Sequence, residues 1–458
     1  MKPGGKCGAM EGRQGQICRK EDEVSAVDMT CDVASLAGNM SQRGCVYCGA
    51  RVVLNPITDV LHLVHGPIGC AAYTWDIRGS LTHGPDLYRS SFSTDMQEKD
   101  VIFGGEEKLY RALKDLIAKY DPPGVFAYAT CIVGIIGDDL EAVCKRVTQE
   151  TGVTVTPVQS EGFKGNKSAG YRAACDALLK VIGTKAIAAP AKPTINILGE
   201  FNLAGELWII QRYFKEIGIK VNCTLTGDAT YEQIRGAQGA HLNVVQCAGS
   251  MTYLAVELEK KYGMPWFKVN FFGEEDITTA LLRIAEFFGD AQILHRTQSL
   301  ISRELSKIQD ELAFYRSKLK GKKAAVYMGG AFKTLSLIKA FEALGMEVVL
   351  AGSQTGNRQE YRDIQEAMPT GGVVIDDAGV MELAALIKDN RPDLLVGGVK
   401  ERPLAYKAGI GFCDFNHERE NAFAGYQGLI SFAEEVYTTT CSPIWEFLRE
   451  GGEDYDQE

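Results

Sequence analysis

The sequence lacks several features that would place it in common functional classes. No window approaches eighteen uninterrupted apolar residues, whereas a membrane-spanning helix needs about twenty. The first residues, MKPGGKCGAMEGRQGQICRKEDEV, have no apolar core of the kind a secretory signal requires. An excess of basic residues is also missing: 49 basic against 59 acidic residues give a net charge of −10, and such a surface repels nucleic-acid phosphates. These absences predict a cytoplasmic protein that binds neither membranes nor nucleic acid.

A nucleotide-binding signature is absent too. No GxxxxGK[ST] motif occurs, and GGAFKT (329–334) lacks the GxGxxG spacing that would seat a pyrophosphate. Apolar runs nevertheless alternate with helical periodicity, as in TINILGE (194–200) followed by AGELWIIQRYFKEIG. This alternation predicts βαβ units and parallel sheets. Ligands of such sheets collect beyond the C-terminal ends of the strands.

The length of 458 residues exceeds what one hydrophobic core usually organises. We predict an α/β protein of three Rossmann-like domains whose parallel sheets surround a central cleft. Residues 1–40 are polar and glycine-rich, and are expected to form an N-terminal arm. The predicted domains are 41–190, 191–315 and 316–410. The segment 411–458 is expected to return to the cleft and to the first domain.

One stretch, GCVYCGARVVLNPITDVLHLVHGPIGC (44–70), concentrates three of the thirteen cysteines and two of the six histidines. In a reducing compartment such thiols serve metals or catalysis more often than disulfides. A zinc site is conceivable, but Cys45 and Cys48 form a single CxxC pair with no second pair downstream. His62 and His65 are expected to orient the neighbouring loop by hydrogen bonds rather than to bind metal.

An iron–sulfur site is a further alternative. Cys131 directly follows a predicted strand at 124–130. Cys45, Cys70 and Cys131 are separated by 25 and 61 residues. Soft thiolates match iron, and cluster ligands can come from distant segments. Three ligands leave one iron for a ligand from another chain. From composition and spacing alone, ordinary packing of small apolar side chains is the favoured interpretation.

Four segments carry a resemblance to a known family: CVYCGARVVLNPITDVLHLVHGPIGCAAYTWDIRGS, SEGFKGNKSAGYR, VQCAGSMTYLA and LLVGGVKERPLAYKAGIGFCDFNHERE. They resemble the nitrogenase component 1 superfamily and, within it, the branch whose members assemble the iron–molybdenum cofactor. The resemblance extends from about residue 40 to the C-terminus.

The resemblance implies two metal sites. Cys45, Cys70 and Cys131 match cysteines that bind a [4Fe-4S] cluster at the interface with an unlike subunit, which supplies the fourth thiolate. Cys48 has no ligand counterpart and is expected to be a neighbour. Cys247 matches the cysteine that anchors the large cofactor or its precursor.

Two departures from the dinitrogen-reducing branch argue against substrate reduction. That branch has a glutamine and a histidine after its SEGF-like segment, where this chain has Lys167 and Tyr171; neither replaces a proton relay at neutral pH. It also has a histidine ligand before a Gly-Tyr-x-Gly segment, where Ala424 stands here. Asn416 and His417 are the nearest substitutes, although His417 suits a structural hydrogen-bond network equally well.

Basic residues are expected to face the negatively charged cluster and a homocitrate carboxylate. The four candidates are Arg78, Lys167, Arg358 and Lys400. We expect at most half of them to face the cluster. Lys400 is the best placed, because it follows the predicted strand DLLVGG into the region of the strand ends.

The resemblance implies a biosynthetic scaffold rather than a conventional catalyst. Such a subunit pairs with a NifN-like subunit in an α2β2 heterotetramer. It holds an eight-iron precursor delivered by NifB while molybdenum and homocitrate are inserted, with the nitrogenase iron protein (NifH) supplying electrons and components. The product then passes to apo-nitrogenase, directly or through a carrier. The alternatives are a vanadium-system homologue of the scaffold (VnfE), the catalytic α-subunit of nitrogenase, and a metal-storage or chaperone protein.

Overall fold

The computed structural model describes residues 16–21, 44–75, 90–188, 190–416, 419–445 and 447, with the backbone alone for residues 73–75. Its strands are β1 (Ile17–Arg19), β2 (Leu61–His65), β3 (Ser91–Ser93), β4 (Gly124–Ala129), β5 (Thr154–Val158), β6 (Thr194–Leu198), β7 (Lys220–Leu225), β8 (Leu242–Val245), β9 (Trp266–Lys268), β10 (Lys323–Met328), β11 (Glu347–Ser353), β12 (Val373–Asp376), β13 (Leu394–Gly397) and β14 (Gly411–Asp414).

The α-helices lie between these strands. They are α1 (Val46–Leu54), α2 (Ile68–Trp75), α3 (Glu98–Phe103), α4 (Glu106–Tyr120), α5 (Cys131–Ile136), α6 (Leu140–Thr151), α7 (Lys167–Val181), α8 (Glu206–Ile217), α9 (Tyr231–Arg235), α10 (Ala248–Tyr262), α11 (Glu274–Phe288), α12 (Ala291–Leu319), α13 (Ala331–Ala343), α14 (Arg358–Ala367), α15 (Val380–Asn390), α16 (Arg402–Lys407) and α17 (Gly425–Thr440). Among the described residues, none of these helices combines the length and the hydropathy that crossing a membrane requires.

Three sheets organise the described chain, in the orders β3-β2-β4-β5, β7-β6-β8-β9 and β1-β12-β11-β10-β13-β14. Every pairing is parallel except that of β1 with β12. The predicted α/β fold with parallel sheets is therefore confirmed. Each of the three predicted domains contains most or all of one sheet, while the domain boundaries remain predictions.

The chain divides into two compact units. One consists of residues 44–269 and 288–296 and holds the first two sheets; the other consists of residues 1–43, 270–287 and 297–458 and holds the third. We call them the thiol unit and the C-terminal unit. The central parallel strands of both, β2, β4, β8, β10 and β13, are almost fully buried, as expected when helices cover both faces of a sheet.

A strand occurs where the sequence predicted only an arm. Ile17–Arg19 pairs antiparallel with β12, so that Cys18 lies opposite Val374. The Cys18 side chain is 4% exposed, and its sulfur accepts a hydrogen bond from Gln365 Nε2 at 2.9 Å. Three residues in a polar segment give no periodicity of their own, because the sheet edge supplies the hydrogen bonds that hold them.

In the thiol unit, α7 packs against both α1 and α10. Two glycines let the backbones of α1 and α7 touch. A Cβ atom on Gly170 would lie 2.8 Å from Ala50 N and even closer to Val46 O, and one on Gly49 would collide with the Lys167 carbonyl. Any larger residue at either position would push the helices apart. This contact places the start of α1, which carries Cys45 and Cys48, beside the start of α7.

Candidate functional site

Two of the predicted ligands follow neighbouring parallel strands. β2 and β4 pair with His65 opposite Ala129, so their C-terminal ends meet at one edge of the sheet. Cys131 is the first residue of α5, directly after β4, and Cys70 lies in the first turn of α2, after β2. Thr130 Oγ1 donates to the His65 carbonyl at 2.9 Å, which ties the two strand ends together.

Cys45 reaches the same edge from α1. It is the N-cap residue of that helix, and its backbone pairs with Asn166 in an isolated bridge. Gly162 lies between Cys45 and Cys131: an added Cβ would stand 2.9 Å from Cys131 Sγ and 3.7 Å from Cys45 Sγ. Only glycine fits at this position without displacing a thiol. The structure thus brings together Cys45, Cys70 and Cys131, which we call the thiol trio.

The trio has the chemistry of an iron–sulfur site. Burial raises the pKa of Cys70, and the neighbouring thiols of Cys131 and Cys45 raise it further. Cys45 and Cys131 are exposed and Cys70 is half-buried, so the three thiols are accessible from the surface to different degrees. Among the described residues, no three His, Cys, Asp or Glu side chains are arranged to hold a single metal ion. A cluster, whose irons and sulfides span the space between thiolates, suits this donor set.

Exposed apolar side chains lie close to the trio along the chain. Ile68 is 45% exposed and begins the helix that carries Cys70; Ile135, 69% exposed, follows Cys131 by one turn; Phe163, 58% exposed, is next to Gly162. We call these three residues the apolar rim. Grouped exposed apolar side chains are typical of surfaces that contact another protein.

His62 and His65 are fully buried and hydrogen-bonded to protein groups. His62 Nδ1 is 2.8 Å from Tyr128 Oη. His65 contacts Thr94 Oγ1 through Nδ1 at 3.0 Å and Asp138 through Nε2 at 3.1 Å. Burial lowers the pKa of His65 despite the opposing effect of Asp138. The bonds of His65 agree with the predicted role of orienting the loop after β2, because Thr94 Oγ1 also accepts from Gly66 N; the bond of His62 instead joins β2 to β4.

Cys48 has surroundings different from those of the trio. It is 5% exposed, and an added Cβ on Gly44 would lie 2.9 Å from its sulfur and 3.8 Å from Lys167 Cδ. Its thiol raises the pKa of Lys167. Cys48 therefore faces the α1–α7 contact, and nothing in the described residues groups it with Cys45 as a ligand pair.

Cys247 lies at the C-terminal end of β8, as the N-cap of α10, and is half-buried. Gly199, with φ of +84°, lets the backbone after β6 approach it, since a Cβ there would stand 2.6 Å from the Cys247 Cβ. The pKa of Lys167 is lowered by burial but raised more by Tyr171, Cys48 and Cys247, and lies above its ordinary value. Lys167, predicted to bind the precursor, thus lies within electrostatic reach of the predicted anchor.

Tyr171 lies one turn beyond Lys167 on α7, and the Lys167 ammonium stands 5.9 Å from the centre of its ring. Burial raises the pKa of Tyr171, and Lys167 opposes that shift. The phenol is therefore protonated at neutral pH. The Lys167 ammonium and the neutral Tyr171 phenol therefore lie within electrostatic reach of Cys247.

In the C-terminal unit, Lys400 and Asn416 follow β13 and β14. Lys400 is exposed, and Asn416 is half-buried with its amide beside Gly398, where an added Cβ would lie 2.6 Å from Asn416 Nδ2. Between them Glu401, 2% exposed, accepts hydrogen bonds from Gly398 N at 2.9 Å and Gln354 Nε2 at 3.3 Å. Burial raises the pKa of Glu401 to about 7.

Glu401 was not among the predicted site residues, although it lies between Lys400 and Arg402 in the sequence. Its burial could not be read from so polar a segment. Arg358 begins α14 and is exposed. Arg78 and His417 lie outside the described residues. Ala424 is the buried N-cap of α17 and has no metal-binding atom in its side chain.

Comparisons with known proteins match almost the whole chain to one family. Residues 45–441 match the family model described as nitrogenase component 1 type oxidoreductase. A curated protein of Clostridium pasteurianum, named nitrogenase iron-molybdenum cofactor biosynthesis protein NifE, is 54% identical over 94% of each chain. Proteins of the same name from Methanosarcina barkeri and Klebsiella pneumoniae are 51% identical over 96% of this chain and 97% of theirs, and 40% identical over 88% and 90%.

Solved nitrogenase structures are also similar to this chain over almost its whole length. The structure titled "Nitrogenase Cp1 at pH 6.5" superposes with a TM-score of 0.87 at 32% identity, covering 94% of this chain and 95% of that one. The structure titled "Nitrogenase Cp1 at pH 5" gives a TM-score of 0.88 at 33% identity, with 95% and 96% covered.

Proposed function

This chain belongs to the nitrogenase component 1 type oxidoreductase family, and from that premise we propose that it is a scaffold subunit for biosynthesis of the nitrogenase iron–molybdenum cofactor. It holds an iron–sulfur precursor while molybdenum and homocitrate are inserted, and then releases the product to apo-nitrogenase. Relatives named as NifE biosynthesis proteins, 38–54% identical over most of this chain, support this proposal.

The observation that carries the proposal is the environment of Cys247. The thiolate is one firm anchor for the precursor, which is the cargo of the reaction. Lys167 holds a positive charge beside it, and a charge-assisted contact stabilises an anionic cluster. Tyr171 keeps its proton at neutral pH because burial raises its pKa, so it offers no proton relay of the kind that a histidine provides. The site is suited to holding a cluster rather than to reducing a bound substrate.

The thiol trio supports a second part of the proposal. Cys45, Cys70 and Cys131 would hold a resident [4Fe-4S] cluster, which supplies one-electron transfer when bound. A NifN-like partner in an α2β2 heterotetramer would provide the fourth thiolate. The apolar rim supports this, because its exposed side chains adjoin the segments that carry the trio and would be covered by the partner.

The predicted contacts of Lys400, Asn416, Arg78 and His417 with the precursor or homocitrate are kept as part of this proposal. The nitrogenase iron protein would deliver electrons, NifB would deliver the precursor, and molybdenum and homocitrate would enter during maturation. Exposed Lys400 presents a cation for a carboxylate, and the Asn416 amide offers both a donor and an acceptor.

The first experiment tests the resident cluster. The chain is co-expressed with its NifN-like partner, the complex is isolated anaerobically, and iron is measured together with the electron paramagnetic resonance (EPR) spectrum. We expect iron that survives gel filtration, and its loss in Cys131→Ser. Cys441→Ser is the matched control, because Cys441 is also exposed but lies in the C-terminal unit. Equal iron in both variants would contradict the trio as ligands.

The second experiment tests maturation. The complex is loaded with precursor and incubated with iron protein, ATP, molybdate and homocitrate, and the product is assayed by activation of apo-nitrogenase. We expect molybdenum uptake and activation that require all four additions; vanadate in place of molybdate separates the two metal systems. Acetylene reduction by the complex alone at nitrogenase-like rates would refute the scaffold proposal, and precursor retention without molybdenum uptake would favour storage.

A further inference from the structure

A buried carboxylate that the proposed function does not use lies beside the thiol trio. Glu161 immediately precedes Gly162 and is 4% exposed. Its Oε1 accepts a hydrogen bond from Lys164 Nζ at 2.6 Å, and the Lys164 side chain is 51% exposed. The pair therefore has its negative end inside the protein and its positive end at the surface.

Two glycines show how close this carboxylate is to the trio. Gly162 touches the thiol trio directly, since its added Cβ would stand 2.9 Å from Cys131 Sγ. Gly134 lies three residues after Cys131 in α5, and its added Cβ would stand 2.8 Å from Glu161 Cγ and 3.3 Å from Oε1. Glu161 thus packs on the first turn of the helix that Cys131 begins.

The second carboxylate oxygen has an unusual environment. Glu161 Oε2 is buried and has no hydrogen-bond partner among the described residues. Buried oxygens usually accept a hydrogen bond, and exceptions in native proteins call for an explanation. Without a donor, the charge on this oxygen is not spread into a network, and burial reduces its screening by water.

The physical consequence depends on what the trio holds. A cluster with thiolate ligands gains negative charge when it is reduced, and a fixed carboxylate nearby opposes that gain. Net charge, hydrogen bonds and solvent exposure set the reduction potentials of such clusters. Lys164 offsets the effect only in part, because its exposed ammonium is screened by water.

From this geometry we propose that Glu161 is a positioning residue for electron transfer: its charge lowers the reduction potential of the iron–sulfur cluster held by the thiol trio. This inference rests on the proposed function, because it requires that cluster. The competing explanation is that Glu161 only closes the turn at 162–164, where Lys164 N also donates to the Glu161 carbonyl at 3.0 Å.

The test is an anaerobic redox titration of the complex with its NifN-like partner, followed by EPR. Glu161→Gln keeps the shape and removes the charge, so we expect a shift of the midpoint potential to more positive values. Glu161→Asp keeps the charge and should stay near the wild-type potential. Lys164→Gln leaves the buried carboxylate unopposed and should shift the potential in the negative direction; it alters only an exposed side chain, so it remains informative if Glu161→Gln folds poorly.

Glu304→Gln is the matched control. Glu304 is 8% exposed and pairs with Lys307 at the same spacing, at 2.7 Å, but it lies on α12 in the C-terminal unit; its variant should leave the potential unchanged. A turn-closing role predicts lower thermal stability in Glu161→Gln with no change in potential, and that outcome would overturn the inference. The absence of any cluster signal in the wild-type complex would instead refute the proposed function.

Discussion

Replacing Gly170 by alanine tests the close contact between α1 and α7. The added methyl group would lie 2.8 Å from Ala50 N and closer still to Val46 O. These atoms belong to the backbone of α1, so they cannot move aside by changing a rotamer. Relief requires α1 to shift, and α1 carries Cys45 at its start and nine buried residues along its length.

Two opposing contributions set the magnitude. Alanine is favoured over glycine inside a helix by about 1 kcal/mol. Overpacking of a core costs about 1–3 kcal/mol, and the upper value applies here because the obstructing atoms are backbone. The net loss in the free energy of unfolding is therefore about 2 kcal/mol, which is about a thirtyfold change in the equilibrium constant.

The assay is urea unfolding of the purified complex at fixed protein concentration, with iron content measured in parallel. A slope of about 3 kcal/mol/M converts the loss into a midpoint lower by about 0.7 M, and the shift of Cys45 should reduce bound iron. Ser168→Ala is the control on the same helix: Ser168 is exposed, and its change should stay within about 0.5 kcal/mol. A Gly170→Ala complex with wild-type or higher stability and full iron content would refute the reasoning.

Further variants probe single side chains. Cys247→Ser should lose the precursor in a gel-filtration retention assay but keep the EPR signal of the trio; joint loss of both would contradict two separate sites. Lys167→Met should weaken precursor retention about tenfold or more, with a smaller effect at high salt, and Lys167→Arg should restore part of it. Cys48→Ala should leave trio iron at the wild-type level. Burial raises the pKa of Glu401 to about 7, so the stability that its protonated form contributes is present at pH 4 and lost as the pH rises through 7. In urea unfolding, the free energy of unfolding of Glu401→Gln should therefore rise relative to that of the wild type between pH 5 and pH 9. A difference that does not depend on pH would contradict this.

Local patterns were enough to predict most of the elements. The strand predicted at 124–130 forms β4, the apolar run TINILGE contains β6, and the helical pattern AGELWIIQRYFKEIG contains α8. These assignments hold because periodicity and β-propensity act over a few residues. β1 escaped prediction because its three residues become a strand only by pairing with β12, more than 350 positions away.

Two buried glutamates also escaped prediction because their environment depends on tertiary packing. Glu161 and Glu401 lie in two segments that carry the family resemblance, SEGFKGNKSAGYR and LLVGGVKERPLAYKAGIGFCDFNHERE, yet neither was predicted as a site residue. Glutamate usually lies on a solvated surface. The burial of these two, 4% and 2% exposed, involves contacts with other segments that spacing in the sequence does not reveal: Glu161 packs on Gly134, and Glu401 accepts a hydrogen bond from Gln354.

The sequence by itself determined the donor chemistry: soft thiols in number, a lysine and a tyrosine in place of proton-relay residues, and an alanine without a ligand atom. Only the tertiary structure decided which thiols meet. Cys48 is three residues from Cys45 but turns into the α1–α7 contact, whereas Cys131 is 61 residues from Cys70 and lies beside it. The reason is physical: Cys45 is an N-cap with extended backbone, so its side chain leaves the helical register in which i and i+3 would share a face. Parallel strands, in contrast, bring their C-terminal ends to one edge of the sheet.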